Sequence, residues 1–272
     1  MKSYKDYITL NKNSRGCYII DTVKGCHSGL ENNKNGCYGE CYAFAIAKRY
    51  GFDFSVSNIR KFIYNENQLC FWDFKDSKHL SKIIKNIKSI DMPFVRIGEM
   101  GDPSEFWEHT INICKEISVA SKKIVIITKH WNILSDDLLN ELSKIDVCIN
   151  TSISALDTSE QIDIRLNQYE RLKKYCNSKL RIVTCDFNLN NEIGKKLNLI
   201  QEQLIRYSKD YIDTVFRCKK ENYLVVNGII NIEKIKFLKA NVYASMFNKN
   251  TYFGNCKKCP DQCGIKNKKE SL

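Results

Sequence analysis

Three cysteines, Cys26, Cys37 and Cys41, stand within sixteen residues on a stretch rich in Gly and Asn. The segment reads Gly25-Cys26-His27-Ser28-Gly29 and then Gly36-Cys37-Tyr38-Gly39-Glu40-Cys41-Tyr42-Ala43. A four-iron cluster normally takes four cysteine ligands. A loop that supplies three leaves one iron open to a substrate or cosubstrate. The same trio also fits a zinc site or a set of unrelated buried thiols.

A second group lies near the end of the chain, Cys256-Lys257-Lys258-Cys259-Pro260-Asp261-Gln262-Cys263-Gly264. Three cysteines in eight residues, with Pro and Gly turns, make a compact chelating knuckle. A closed zinc site or a complete iron-sulfur cluster wants a fourth ligand. Cys218, just beyond the last expected strand, is the first candidate and Cys17 the second. Iron-sulfur is the first reading of this metal and zinc the second. Cys70, Cys114, Cys148, Cys176 and Cys185 are scattered among apolar segments and read as small buried hydrophobes. The lysines from 257 onward give the tail a net +3, suited to phosphate or to a solvated end.

The elements that must position these groups follow from composition and pattern. A chain of 272 residues, 43% hydrophobic, builds one sizeable α/β domain with an appendage. It has no apolar run of the roughly 18 residues that a membrane span needs. Its first residues, Met1-Lys2-Ser3-Tyr4-Lys5-Asp6, lack the apolar stretch of a secretory signal. A cytoplasmic protein without a membrane partner is expected. Disulfides are rare there, so thirteen cysteines clustered towards both ends speak for metal ligands. The net charge of +12 favours polyanions, nucleic acid among them, although the lysines are spread widely.

Short β-branched runs at 17–21, 94–97, 124–128, 147–152, 180–184 and 214–216 carry little polar alternation, as buried parallel strands do. Helical periods lie between them. Leu80, Ile83, Ile84 and Ile87 follow a capping Ser77; Trp107, Ile111, Cys114 and Ile117 follow Ser104; Leu138, Leu139 and Leu142 follow Ser135. Ile162, Leu166, Tyr169 and Leu172 mark a fourth helix, and Ile193, Leu197, Ile200 and Leu204 a fifth. Six such units imply a parallel sheet with right-handed crossovers. An eightfold barrel takes about 250 residues. The expectation is therefore a partial (β/α)6 TIM-like barrel over 1–217, with a small metal-binding extension over 218–272. Residues 222–231 are expected to form a hairpin turning at Asn227-Gly228.

In such folds ligands sit at the carboxyl ends of the strands. The second strand ends Ile97-Gly98-Glu99-Met100-Gly101-Asp102-Pro103-Ser104, which is also an ordinary strand-to-helix turn. The third ends Thr128-Lys129-His130-Trp131, and a Lys129–His130 pair there would position a substrate or act as acid or base. The fourth places Ser152 and Ser154 on one side. Arg165 follows on the next helix, where a solvated helix charge is the plain alternative.

The three-cysteine loop resembles the cluster-binding loop of the radical S-adenosyl-L-methionine (radical SAM) enzymes. Their usual spacing is CxxxCxxC, and this chain has C-x10-C-x3-C, with Glu40 where an aromatic residue is usual. The Cys41-Tyr42-Ala43 ending is typical, and the loop is most similar to a phage- and prophage-associated branch with GC…GCxxCYA loops. The resemblance covers roughly residues 15–217. It implies a 4Fe-4S cluster on Cys26, Cys37 and Cys41, with S-adenosyl-L-methionine on the open iron. It also implies an electron donor such as flavodoxin or ferredoxin, and a 5′-deoxyadenosyl radical that takes hydrogen from a substrate. Gly98 and Glu99 match the last two positions of the family's Gly-Gly-Glu-like stretch, which meets the amino group of SAM, while Ile97 replaces the first. Ser152 and Ser154 would serve its ribose and carboxylate, and Arg165 would clamp the carboxylate. The family's Gly-rich adenine stretch is missing near Thr184–Asn188, leaving Tyr38 or Phe44 to stack. The knuckle, with Cys218, is similar to the auxiliary 4Fe-4S extensions of many members. A macromolecular substrate is expected, nucleic acid ahead of peptide, with a small molecule as the alternative. The rival from another class is a non-catalytic, zinc-stapled nucleic-acid-binding protein.

Overall fold

The computed structural model describes residues 7–63, 77–235 and 241–265. Cys70 and the last lysines, from 266 on, lie outside the described residues.

The strands in chain order are β1 (Leu10–Lys12), β2 (Tyr18–Ile20), β3 (Val23–Lys24), β4 (Asn58–Ile59), β5 (Phe94–Ile97), β6 (Lys123–Thr128), β7 (Val147–Ile153), β8 (Asn177–Thr184), β9 (Ile212–Cys218), β10 (Glu233–Lys234) and β11 (Tyr243–Ser245). β3 and β4 pair as a separate ribbon. The other nine form one sheet in the order β1-β2-β5-β6-β7-β8-β9-β11-β10. Neighbours from β2 to β9 are parallel. The edge pairings of β1, β11 and β10 are antiparallel. All six expected parallel strands are present. Among the described residues the sheet ends in free edges at β1 and β10 and forms no closed barrel.

The β-branched runs explain why the centre is parallel. Every residue of β7 is buried, which suits a strand covered on both faces. Alternation then sends neighbours to opposite faces. Val95, Ile97, Ile124, Ile126, Val147 and Ile149 pack against the helices. Phe94, Val125 and Cys148 pack with Cys17, Ile19 and Cys256 on the other face. That second face is thus covered partly by the C-terminal knuckle.

The helices are α1 (His27–Asn32), α2 (Tyr42–Tyr50), α3 (Lys78–Lys88), α4 (Trp107–Ser118), α5 (Asp136–Leu142), α6 (Ser159–Leu172), α7 (Glu192–Tyr207) and α8 (Tyr223–Val226). Ser77 caps α3 through Leu80 N, and Ser135 caps α5 through Leu138 N. α6 starts with a reciprocal Thr158–Gln161 capping box. None is long and apolar enough to cross a membrane, among the described residues.

Two expectations are corrected. Ser104 does not cap the helix after β5. Asp102 accepts from Ser104 N and begins a short 3-10 turn, Pro103–Phe106, before α4. Aspartate followed by proline is a good start signal, and it lies two residues ahead of the serine. Residues 222–231 do not form a hairpin either. Asn222 accepts from Leu224 N and caps α8, and Leu224 is buried. A side-chain cap and one buried leucine outweigh the Asn-Gly turn signal. Gly228 takes its positive φ of 61° just after this helical turn.

Candidate functional site

Local geometry brings the three N-terminal thiols together. Cys26 is the N-cap of α1, Cys37 opens the 3-10 turn Cys37–Gly39, and Cys41 is the N-cap of α2. The chain turns through Gly36 at φ 74°, Tyr38 at 57° and Gly39 at 76°. A Cβ on Gly29 would stand 2.7 Å from Cys26 Sγ and 3.9 Å from Cys37 Sγ, so both sulfurs flank one point. A Cβ on Gly36 would stand 2.3 Å from Cys41 Cβ and 3.3 Å from its Sγ. The two glycines leave a cradle that a side chain would fill.

Electrostatics keep these thiols protonated while no metal competes. Burial pushes Cys26 up, and the charges of Asp102 and Cys37 add to it. Burial pushes Cys37 up to about 11, against the pull of Lys129. Burial also raises Cys41, opposed by the backbone N–H groups of Phe44 and Ala43 at the start of α2. A bound metal would have to displace those protons. Among the described residues no three His, Cys, Asp or Glu side chains stand ready for a single metal ion. A four-iron cube holds its cysteines farther apart than one ion does.

The carboxyl ends of β5, β6 and β7 close around this loop. After β5, Asp102 accepts from Ser104 Oγ (2.7 Å), Thr128 Oγ1 (2.6 Å) and Lys129 N (2.8 Å). Glu105 accepts from Ser28 N at 3.1 Å and from Cys26 Sγ at 3.7 Å. Lys129, after β6, reaches Tyr38 Oη at 2.5 Å and Asp157 Oδ1 at 3.3 Å. Asp157, after β7, also accepts from Tyr38 Oη at 2.8 Å and Ser154 N at 2.8 Å. Its other oxygen pairs with Arg165 Nη1 at 2.5 Å. Burial alone would raise the Asp157 carboxyl, but the cations of Lys129 and Arg165 outweigh it and hold it below the usual range.

The expected site residues divide. Gly98 has φ 89°, and a Cβ there would strike Pro103 at 2.8 Å. The Glu99 and Met100 N–H groups donate to buried Asp21 at 2.6 and 2.9 Å. Glu99 Oε1 accepts from Asn13 at 3.0 Å and pairs with Arg96 at 3.1 Å. Ser152 faces the same way as Arg181 of β8, its register partner, and its hydroxyl makes no hydrogen bond among the described residues. Ser154 is structural: its hydroxyl donates to Val183 O at 2.8 Å and accepts from Leu156 N at 3.2 Å. Phe44 packs edge-on against Phe54, and Tyr38 edge-on against Phe216, each at 6.0 Å.

Three of the expected residues stand in other surroundings. Arg165 is 1% exposed, with Nε on Lys129 O at 2.7 Å and Nη1 on Asp157. It holds two strand ends together and is not open to a ligand. His130 is 2% exposed, stacked on Trp107 at 5.6 Å, with Nε2 on Thr151 Oγ1 at 3.0 Å. Burial, with help from Arg165, drops it to about 3. It is a neutral core histidine and no acid–base partner for Lys129. Cys218 does not join the knuckle. It packs with Phe216 and Leu224 and senses the charge of Glu40. The thiol beside the knuckle is Cys17, which packs in one buried cluster with Cys256. That contact raises Cys17 and lowers Cys256, and Arg15, Arg96 and Arg181 add to the lowering.

Asp157 and Glu105 are the functional neighbours that sequence reasoning missed. Asp157 stands in the polar strand end, but its partners come from three distant elements. Its one local signal is the i, i+8 spacing to Arg165.

Asp157→Asn leaves two buried cations without their counterion. Its unfolding free energy should fall by about 3–5 kcal/mol at pH 7, read by urea denaturation. Because the folded-state carboxyl sits low, wild type keeps this advantage above the ordinary carboxylate range and loses it as pH falls below about 4. The gap between the two proteins should therefore narrow in acid. Gly36→Ala meets backbone strain of roughly 1–3 kcal/mol as well as the clash with Cys41. Anaerobic iron uptake by that variant should fall well below wild type while its circular dichroism stays folded. Comparison with protein-family models gives no match, and comparison with curated proteins gives none either.

Proposed function

We propose that the chain is a radical SAM enzyme. The observation that carries this reading is the meeting of three thiols, and only three, with the polar ends of three successive parallel strands. Six parallel strands in chain order, β2-β5-β6-β7-β8-β9, are what a partial (β/α)6 barrel requires, and such folds place ligands at those ends.

The residues fit the group they would hold. Cys26, Cys37 and Cys41 supply soft ligands around a space kept open by Gly29 and Gly36. They would hold a 4Fe-4S cluster, which when bound supplies one electron for reductive cleavage of S-adenosyl-L-methionine. The chain's own work is to bind, orient and exclude water. The turn at Gly98–Glu99, pinned by Asp21, presents a carboxylate suited to an ammonium group. Ser152 offers a free hydroxyl. Lys129 lies close enough to stabilise the Cys37 and Cys41 thiolates. Lys129, held by Tyr38 and Asp157, brings its ammonium beside these thiols. A reduced flavodoxin or ferredoxin is the matching electron source. The charge of +12 supports a macromolecular substrate, nucleic acid ahead of peptide.

Wild type with its cluster loaded anaerobically, given dithionite and SAM, should release 5′-deoxyadenosine and methionine. Cys37→Ala should release neither. No 5′-deoxyadenosine from the loaded wild type overturns the reading. For the substrate, oligonucleotides should stimulate turnover at low salt and lose that effect as salt rises. Stimulation by peptides alone would move the assignment.

A further inference from the structure

We propose that Cys17, Cys256, Cys259 and Cys263 bind a second iron-sulfur cluster, with Arg96, Arg181 and Arg217 as its counterions. The proposal does not rest on the radical SAM reading. It rests on how residues 13–17 are tied to the knuckle and on guanidinium groups left without full partners among the described residues.

The turn before β2 is built against the C-terminal segment. Asn13 Oδ1 accepts from the Arg15 and Cys17 N–H groups, each at 3.0 Å. Cys256 N donates to Arg15 O at 2.8 Å, and Arg15 Nε donates to Gly254 O at 3.2 Å. Gly16 has φ 76°, and a Cβ there would stand 2.7 Å from Asn255 Nδ2. Cys17, fully buried, is thereby packed in one cluster with Cys256, and Cys263 lies against that cluster. Cys263 lies within electrostatic reach of Cys17, Cys256 and Cys259. It adopts φ 57°, and its carbonyl is held by Asn150 Nδ2 at 3.0 Å.

The cations are the second observation. A cavity of about 270 Å3 adjoins the knuckle, and Arg15, Arg96, Arg181 and Arg217 line it with Cys256, Cys259 and Cys263. Arg96 pairs with Glu99, but its buried Nε has no partner. Arg181 and Arg217 make no hydrogen bond or ion pair among the described residues. Of the carboxylates lining the cavity, Asp213 is taken by the hydroxyls of Thr184 and Thr251, and Asp261 forms no ion pair among the described residues. Guanidinium groups without anions beside apolar walls are costly. A four-iron cluster on four thiolates carries about two negative charges in its oxidised form. Arg181 and Arg217 are matched to that charge. Cys256, Cys259 and Cys263 line the cavity, which gives a cube room. Assembly is balanced: four thiols lose four protons, and the metal and sulfide come from solution.

The test uses the full chain with Cys26, Cys37 and Cys41 all changed to Ala, so that only the second site is counted. Anaerobic reconstitution with iron and sulfide should give about four of each per chain. Adding Cys17→Ala, or Cys17→Ser to keep the packing, should remove most of that iron with the far-ultraviolet circular dichroism unchanged. Adding Cys218→Ala or Cys148→Ala should leave it in place. Arg181→Met with Arg217→Met keeps all four ligands and should move the midpoint potential of the cluster to more negative values. One tightly held zinc with no iron uptake overturns the proposal. So does full iron retention without Cys17, or loss without Cys218. An unmoved potential in the double arginine variant overturns the counterion assignment.

Discussion

One buried carboxylate holds the candidate site together. Asp157 is met by a guanidinium from α6, an ammonium from the end of β6 and a phenol from the cysteine loop. Tyr38 sits immediately after Cys37, so its bond to Asp157 ties the loop to the strand end that follows β7. Arg165 extends the tie by reaching back to the Lys129 carbonyl. Two charged bonds and one phenolic bond compensate the cost of burying these ions. Without that compensation the loop would keep its glycine turns but lose its place against the sheet. The arrangement also explains why Arg165 does not face a ligand. Its charge is spent on geometry.

Charge in this chain works on two scales. Most of the +12 is carried by lysines spread along the sequence and open to water. Such charge steers polyanions weakly and is screened by salt. The arginines are used differently. Arg96, Arg165, Arg181 and Arg217 lie in or beside the sheet, where a guanidinium keeps its charge at neutral pH and offers planar, directional donors. Arg96 stands between the two cysteine groups, paired with Glu99 on one side and near Cys17, Cys256 and Cys263 on the other.

Much of this was legible in the sequence. The β-branched runs announced the six parallel strands because a strand buried on both faces has no reason to alternate. The three-cysteine loop was legible because glycine, cysteine and asparagine cluster there, as they do again at the knuckle. Caps at Ser77 and Ser135 were legible because they depend on neighbours three residues away. What failed depends on distance in the chain. Position in the sequence ranks Cys218 ahead of Cys17 as the fourth ligand, and the packing of Cys17 with Cys256, together with the bond from Cys256 N to Arg15 O, reverses that order. His130 reads as chemistry beside Lys129, yet it lies beyond the end of β6 at φ 51°, with its ring against Trp107 and Thr151, and no local pattern foretells that turn. Asn227-Gly228 reads as a hairpin turn until Asn222 claims the segment for α8.

The two cysteine groups, read as proposed, differ in what surrounds equal sulfur. At the N-terminal loop the neighbours that raise the thiols include Asp102, Glu105 and Asp157, and the cations Lys129 and Arg165 pull the other way. At the knuckle the neighbours are arginines, and Cys256 is already pulled towards thiolate. A three-thiolate site among carboxylates gains from a further ligand that brings positive charge, as a sulfonium compound with an ammonium group does. A four-thiolate site among guanidiniums needs nothing more, because its charge is met by the protein. The same ligand chemistry is thus open in one place and closed in the other. The difference is set less by the missing fourth cysteine than by the sign of the side chains that the sheet brings to each group.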